Sequence, residues 1–349
     1  MKFKDFMDYG INQGASDLHI VTGIESRIRL YGRLKTSPYI FSKGEIQEAI
    51  DYVLDQGELE RLLDQGSIDK ALAFRDWRLR IHIFRQNLGY SLAIRVIPGQ
   101  IPSLDQLNLP GAIADLGDFK SGLLLITGST GMGKTTTLAS LVDHINRRQS
   151  RHIISLENPI EYVYESKKSL IQQREVYRDL VDYESGIRSV VRQDPDIIVL
   201  GEIRDRASIK TALSLAELGH LVISTIHTRS APATIGRIID VFPEGEKEEV
   251  RIQLASSLRA IVNQELVALD QGQLPICELM VMNKAMENII RENKNLDSIR
   301  DQMLINSGPG ACLTRGRHVK NLISCGKISI DKLETSLSRE DYEEISGYF

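Results

Sequence analysis

The feature that most constrains this chain is a short apolar run that leads directly into a glycine-rich loop. Leu123 to Ile126 predicts a buried strand, and the residues after it fit the pattern Gly-x-x-x-x-Gly-Lys-Thr. Glycines let backbone N–H groups converge on an anion without a Cβ in the way. The helix that follows the loop would point its positive end at the same anion. The sequence therefore predicts a nucleoside triphosphate site.

The loop is expected to supply the whole phosphate cradle. Its members are Gly128, Ser129, Thr130, Gly131, Met132, Gly133, Lys134, Thr135 and Thr136. Lys134 would neutralise the β- and γ-phosphates, and the Thr135 hydroxyl would ligate Mg²⁺. A glycine-rich turn that binds nothing is the alternative, and it is disfavoured because every motif position falls in a strand-loop-helix context. ATP and Mg²⁺ are thus the expected cofactors.

Composition limits the partners. The net charge of −4 gives no global electrostatic case for a nucleic-acid partner. The three cysteines, Cys277, Cys312 and Cys325, lie far apart, which argues against a thiolate zinc site and is compatible with a reducing cytosol. No stretch approaches the roughly 18 uninterrupted apolar residues of a membrane span. We therefore expect a cytoplasmic chain whose connection to a membrane, if it has one, runs through a protein partner.

The order of elements predicts two domains, as the length of 349 residues also suggests. Residues 1–98 alternate short helical and strand patterns, which indicates a small α+β domain. Prolines and glycines punctuate residues 99–111, the predicted linker. From 112 to 349, aliphatic strands alternate with helices, which predicts an α/β fold with a parallel sheet covered on both faces. The part from about residue 244 is predicted to be mostly helical.

Three candidate catalytic side chains follow strands of this predicted sheet. Ligands bind at the carboxyl ends of such strands, where Glu157, Glu202 and His227 are expected to lie beside the phosphate loop. Glu202 resembles the acidic end of a Walker B strand that reaches Mg²⁺, although a plain loop carboxylate is the alternative. Pro159 would hold the turn after Glu157 rigidly, which suits a carboxylate that polarises the attacking water.

Two further groups leave alternatives open. His220 and His227 flank the strand at 221–226, and either one alone would more often be structural than functional. Arg78, Arg80 and Arg95 lie on predicted N-terminal strands. They are either solvated charges or cations delivered from one domain or subunit to the γ-phosphate of another. Sequence patterns do not choose between these roles.

Several motifs nevertheless occur in the same order as in the type II secretion and type IV pilus ATPases, which this chain resembles through most of its length. They are Gly14-Ala-Ser-Asp-Leu-His19, Gly128-Ser-Thr-Gly131, Glu157-Asn-Pro-Ile-Glu161, Arg192-Gln-Asp-Pro-Asp196, Gly201-Glu-Ile-Arg-Asp205, Gly219-His220 with His227-Thr228, and Arg237-Ile-Ile-Asp-Val-Phe-Pro243. Within that superfamily the chain looks most like the pilus retraction ATPases of the PilT type. It begins almost at the first of these motifs and lacks a tetracysteine element.

The chain also departs from the family pattern in two of its motifs. The segment Ala285 to Glu292 is similar to the family's Ala-Ile-Arg-Asn-Leu-Ile-Arg-Glu retraction motif, but Met286 and Glu287 replace its isoleucine and first arginine. Asn158 follows Glu157 where the family usually has aspartate. The Met286 and Glu287 differences weaken the inference of retraction, and Asn158 weakens any second carboxylate role beside Glu157.

The resemblance implies a fold and a set of roles. The fold would be a RecA-like P-loop motor domain preceded by a small PAS-like α+β domain, assembled as a homohexamer that works with an inner-membrane platform protein at the cytoplasmic face. The resemblance assigns Glu157 as general base and Glu202 to the Walker B role. It assigns His220 and His227 to a histidine box, and makes Arg80 and Arg95 candidate interfacial arginines.

The predicted function is therefore an ATP-driven motor for pilus retraction. An extension or secretion motor of the same superfamily is the nearest alternative. A nucleic-acid translocase is a second one, against which the acidic balance and the absence of a basic, aromatic stacking surface weigh. A nucleotide-gated scaffold that barely hydrolyses ATP is the third. Glu157 and Glu202 argue against it.

Overall fold

The computed structural model describes residues 2–30, 32–269, 272–308, 311–336 and 339–347. The chain divides into two compact units. The first comprises Met1–Gln100 together with Pro159–Val163, and the second comprises Ile101–Asn158 and Tyr164–Phe349. The predicted linker over 99–111 falls across this division. No helix in the described part of the chain is long and apolar enough to cross a membrane.

The first unit is built around an antiparallel sheet of six strands in the order β3-β2-β1-β6-β5-β4. Its elements are α1 (Lys2–Asn12), β1 (Asp17–Val21), β2 (Glu25–Leu30), β3 (Arg33–Ile40), α2 (Lys43–Val53), α3 (Gln56–Gln65), β4 (Ser67–Phe74), β5 (Trp77–Gln86) and β6 (Gly89–Pro98). Helices α2 and α3 begin at capping boxes formed by Ser42 with Glu45 and by Asp55 with Glu58. Aromatic residues of α1 and aliphatic residues of the strands form one buried core.

The second unit contains a seven-stranded sheet in the order β13-β12-β7-β11-β10-β8-β9, parallel except for the pair β12–β13. Its elements are α4 (Ala112–Asp115), β7 (Gly122–Thr127), α5 (Lys134–Arg148), β8 (His152–Glu157), β9 (Leu170–Glu175), α6 (Tyr183–Val190), β10 (Ile197–Leu200), α7 (Arg206–Glu217), β11 (Leu221–Ile226), α8 (Ala231–Asp240), α9 (Glu244–Ser257), β12 (Leu258–Ala268), β13 (Gln273–Val281), α10 (Lys284–Arg291), α11 (Ser298–Ile305), α12 (Arg315–Ser324), α13 (Ile330–Ser336) and α14 (Arg339–Ser346).

The central strands of this sheet are buried on both faces, as the aliphatic runs predict. Every residue of β7, β10 and β11 is buried. Alternate side chains face two cores: Leu123 and Leu125 pack with α6 to α9, whereas Leu124 and Ile126 pack with α5. Because β7, β8, β10 and β11 are parallel, their carboxyl ends meet at one edge of the sheet. The loop after β7 and the residues after β8, β10 and β11 therefore lie at that edge.

The prediction that the chain is mostly helical from about residue 244 is wrong for residues 258–268 and 273–281. They form β12 and β13, a hairpin that extends the sheet beyond β7. Pro275 lies in β13, which is an edge strand of the sheet, where a missing N–H is tolerated. Strand β12 runs beside β7, the strand that leads into the phosphate loop, so it lies next to the candidate site.

Candidate nucleotide site

The phosphate loop connects β7 to α5, and glycines at three of its positions adopt positive φ angles. These are 147° at Gly128, 81° at Gly131 and 75° at Gly133. Gly128 is also restricted by space, because a Cβ there would lie 2.3 Å from the carbonyl oxygen of Gln264 on β12. Only glycine meets both requirements at this position.

Strand β12 holds the loop from its other side. The side-chain amide of Gln264 donates a hydrogen bond to the carbonyl oxygen of Met132, and the backbone N–H of Leu266 lies 3.2 Å from the Met132 sulfur. Sequence reasoning missed both contacts because it assigned this part of the chain to helix. Ser129 and Thr130 are exposed at the tip of the loop, and Thr135 and Thr136 lie half-buried in the first turn of α5.

The Lys134 ammonium group lies inside the loop. It is buried and donates hydrogen bonds of 2.9 Å to the carbonyl oxygens of both Gly128 and Ser129. Its Nζ also lies 3.2 Å from Nδ1 of His227, the residue that follows β11. The cation is therefore centred where backbone N–H groups and the N-terminus of α5 favour an anion.

His227 connects this lysine to a carboxylate. Its Nε2 lies 2.9 Å from Oε1 of Glu202, which follows β10, and the other oxygen of Glu202 accepts a hydrogen bond of 2.7 Å from Arg204. Burial and then the charge of Lys134 lower the pKa of His227, while Glu202 opposes them. A neutral ring accepts from Lys134 at Nδ1 and donates from Nε2 to Glu202. The three predicted residues thus form one continuous chain of contacts.

Glu157 is the last residue of β8 and is held by two donors. Ser155 Oγ donates to its Oε1 at 2.8 Å, and Nε2 of Gln173 on β9 donates to the same oxygen at 3.1 Å. The carboxylate is buried. Sequence reasoning found Glu157 from its place at a strand end but missed both donors, because neither belongs to a motif with a fixed spacing.

Tyr183, the first residue of α6, was also missed. Its hydroxyl oxygen is buried and has no hydrogen-bond partner in the part of the chain that the structure describes. Burial raises the pKa of this phenol, and the negative charges of Glu157, Glu202 and Asp205 raise it further. Tyr183 therefore shares its surroundings with both acidic candidates.

His220 does not join this group, and Arg80 and Arg95 lie in the other unit of the chain. His220 precedes β11, so it lies at the opposite end of that strand from His227, and its Nδ1 is 2.9 Å from the carbonyl oxygen of Pro195. Arg80 and Arg95 belong to the first unit, where they form a cross-strand pair on β5 and β6. Arg80 donates to Glu161 at 2.7 Å and Arg95 donates to Asp17 at 3.0 Å. Within its own unit, each guanidinium is already paired with a carboxylate.

A glycine-rich loop between a buried parallel strand and a helix, with acidic side chains at the ends of neighbouring strands, defines the core of a P-loop nucleoside triphosphatase. The particular family follows from sequence comparison. The chain belongs to the family described as "Type II/IV secretion system protein", whose pattern matches residues 4–272.

Individual relatives agree with this assignment. The chain is 38% identical to the "Type IV pilus retractation ATPase PilT" of Pseudomonas aeruginosa over 84% of its own length and 86% of the relative's. It is 40% identical to the "Uncharacterized protein YggR" of Escherichia coli over 84% and 90% of the two chains. The crystal structure of the "Pilus Retraction Motor PilT and Bound ADP" superposes with a TM-score of 0.84 at 36% identity, covering 99% of both chains.

These similarities confirm several predictions. The chain is a nucleotide-binding ATPase of the PilT type, and the expected fold of a RecA-like domain after a smaller α+β domain is correct. They carry no information on the roles of individual side chains, which stay predictions.

Proposed function

We propose that this chain hydrolyses ATP at the loop after β7 and that, as a homohexamer, it drives the retraction of a type IV pilus. The observation that supports hydrolysis most directly is the contact chain from Lys134 through His227 to Glu202, with Glu157 fixed at the end of β8 in the same sheet. The supporting observation for retraction is the similarity to a pilus retraction ATPase over most of both chains.

The loop and its lysine bind the triphosphate. Backbone N–H groups of Gly131 to Thr135 and the ammonium group of Lys134 surround the β- and γ-phosphates. The Thr135 hydroxyl and the Glu202 carboxylate are oxygen donors of the kind that Mg²⁺ prefers, so these two residues would hold the ion. When bound, Mg²⁺ neutralises charge that develops on the transferred phosphoryl group.

Glu157 acts as general base in this proposal. It accepts a proton from a water molecule as that water's oxygen bonds to the γ-phosphorus, and the bond from this phosphorus to the bridging oxygen of ADP breaks. Ser155 and Gln173 direct the carboxylate. His227 donates to Glu202 through Nε2, so its unprotonated Nδ1 faces the lysine and the phosphate position.

Arg80 and Arg95 are proposed to act between subunits, and His220 is not assigned a catalytic role. Arg80 and Arg95 are proposed to reach the γ-phosphate of another copy of the chain, which requires that they exchange Glu161 and Asp17 for phosphate oxygens. His220 has no proposed part in the chemistry of its own chain. The hexamer is proposed to work at the cytoplasmic face of the inner membrane, where a platform protein of the pilus machinery holds it.

The first test is Mg²⁺-dependent ATP hydrolysis by the purified chain, with mass measured by light scattering in the same samples. We expect hexamers whose turnover falls roughly 100-fold or more in Lys134→Ala and in Glu157→Gln. Glu175→Gln is the matched control, because Glu175 is a buried carboxylate that lies directly across from Glu157 on β9. Turnover retained in Glu157→Gln but lost in Glu175→Gln would overturn the assignment of the base.

The second test concerns the direction of the motor. Deleting a retraction motor leaves pili abundant and immobile, whereas deleting an extension motor abolishes them. We expect abundant surface pili and loss of twitching in the deletion strain, restored by the intact chain but not by its Lys134→Ala variant. Absent pili would support the extension or secretion alternative, and DNA-stimulated, salt-sensitive hydrolysis in the purified protein would support a translocase.

A further inference from the structure

A buried side-chain amide on β12 connects the end of β7 to the segment that follows β11. Asn263 is 2% exposed and lies directly across from Thr127, the last residue of β7. Its Nδ2 donates to Thr127 Oγ1 at 2.9 Å and to the carbonyl oxygen of Thr228 at 3.1 Å. Thr127 leads into the phosphate loop, and Thr228 is the residue after His227. One side chain therefore holds both segments.

Arg315, the first residue of helix α12, completes this bridge. Its guanidinium is buried and donates to Oδ1 of Asn263 at 3.2 Å and to the carbonyl oxygen of Arg229 at 3.2 Å. It also lies 3.5 Å from Glu265, which balances its charge. Arginine can only donate and a carbonyl oxygen can only accept, so these partners fix which end of the Asn263 amide faces which neighbour.

The bridge controls the spacing on which the proposed chemistry depends. It ties the residue before Gly128 to the two residues after His227, and His227 itself contacts Lys134 and Glu202. The phosphate loop has separate support from Gln264 and Leu266. Loss of the bridge is therefore expected to move the His227 segment and to leave the loop in place. Misplacing a group in such a site by about 1 Å can cost roughly 100-fold in rate.

We infer that Asn263 and Arg315 are positioning residues that set the distance between the phosphate loop and His227. They touch neither substrate nor metal in this proposal and act through His227. The inference rests on the proposed hydrolysis at this loop. Asn263→Asp is the sharpest probe, because aspartate keeps the size and the acceptor for Arg315 but cannot donate. The Thr127 hydroxyl can donate to the new oxygen, whereas the bond to the carbonyl oxygen of Thr228 is lost.

Steady-state kinetics test the proposal in a double-mutant cycle with His227. We expect Asn263→Asp and Arg315→Met to lower kcat about 10- to 100-fold while the affinity for MgADP changes less than about threefold. Arg315→Lys should recover part of the loss, and Arg317→Gln, an exposed position on the same helix, should not affect kcat.

In a His227→Ala background, Asn263→Asp should change kcat less than about threefold. Multiplicative losses, or parallel loss of kcat and MgADP affinity, would overturn the inference.

A second measurement does not depend on turnover, so it separates this inference from the proposed function. Diethyl pyrocarbonate modifies accessible histidines, and peptide mass spectrometry measures the rate at His227. We expect that rate to rise several-fold in Asn263→Asp, with the rate at His220 as the internal reference. Unchanged reactivity at His227 would refute the positioning role even in a chain that hydrolyses ATP. A wild-type chain without turnover would refute only the proposed hydrolysis.

Discussion

At the scale of single residues, the site depends on side chains that hold other side chains. Ser155, Glu157 and Gln173 lie on one face of the β8–β9 pair, because residues two apart on a strand share a face and Gln173 lies across from Ser155. Both donors bond to the same carboxylate oxygen, Oε1. Holding Oε1 fixes the orientation of the carboxylate, which is the requirement for a positioned base.

Replacing Gln173 with leucine should lower kcat about tenfold with little change in KM. The expected loss corresponds to about 1.4 kcal/mol, the size of one hydrogen bond to a charged group. Gln172→Leu is the matched control, because Gln172 lies on the opposite face of β9, where its Oε1 is 3.0 Å from Nε2 of His152. Steady-state ATPase assays of the two variants measure the difference. Equal losses in both would indicate that the edge strand as a whole, rather than the bond to Glu157, supports turnover.

The residues at strand ends could be predicted from the sequence. The residues that hold them by hydrogen bonds could not. Lys134, Glu157, Glu202 and His227 each follow a recognisable apolar run, so local sequence places them at one edge of a parallel sheet. Ser155 and Gln173 come from two separate strands, and Asn263 and Arg315 lie far from every motif. Their roles depend on which strands become neighbours, and no spacing within one segment encodes that.

At the scale of elements, the phosphate loop has two kinds of glycine. Gly128 combines a positive φ with a backbone carbonyl in the position of a Cβ, whereas Gly131 has a positive φ and open space around it. Gly128→Ala should lower the free energy of unfolding by roughly 2–4 kcal/mol, because overpacking adds to backbone strain. Gly131→Ala should cost about 1 kcal/mol. Urea denaturation of both variants tests this order, and equal losses would show that β12 yields to a methyl group.

Helix α12 carries a second buried group besides Arg315. The Nδ1 atom of His318 accepts a hydrogen bond of 3.0 Å from the backbone N–H of Cys277 on β13, and burial lowers the pKa of the imidazole to about 4. The folded chain therefore binds fewer protons at this site than the unfolded chain does, where the pKa is about 6.5. The stabilising contribution is present above pH 6.5 and is lost as the pH falls toward 4.

His318→Asn should reduce the loss of stability in acid. Asparagine offers an acceptor near the position of Nδ1 and does not titrate, so about 2 kcal/mol of the decrease between pH 7 and pH 5 should disappear. Chemical denaturation at a series of pH values measures the slope. If the variant and the wild-type chain lose stability in parallel, another group controls acid unfolding.

The hairpin β12–β13 shows where element prediction failed. Residues 258–268 are two short apolar runs interrupted by Asn263, Gln264 and Glu265, without glycine or proline, and helix and strand patterns both accommodate such a segment. A proline such as Pro275 is disfavoured inside a central strand. Its position at the sheet edge removes the conflict, but the edge is defined only once the whole sheet has assembled.

At the scale of the whole molecule, the two units have separate hydrophobic cores. The core of the first unit contains Phe3, Phe6 and Phe41, and the cores of the second unit lie on the two faces of the parallel sheet and around β13 and α12 to α14. The phosphate loop belongs entirely to the second unit. A ligand that binds only a folded site stabilises the cooperative unit that contains the site.

The single tryptophan makes this separation measurable. Trp77 lies on β5 in the first unit, so its fluorescence reports the unfolding of that unit, whereas far-UV circular dichroism reports both. MgADP at about 100 times its dissociation constant should stabilise the second unit by roughly 2.7 kcal/mol and raise its midpoint by roughly 5–10 °C. The tryptophan midpoint should move by less than about 1 °C, and Lys134→Ala should abolish the shift seen by circular dichroism. If both midpoints rise together, the two units unfold as one cooperative body.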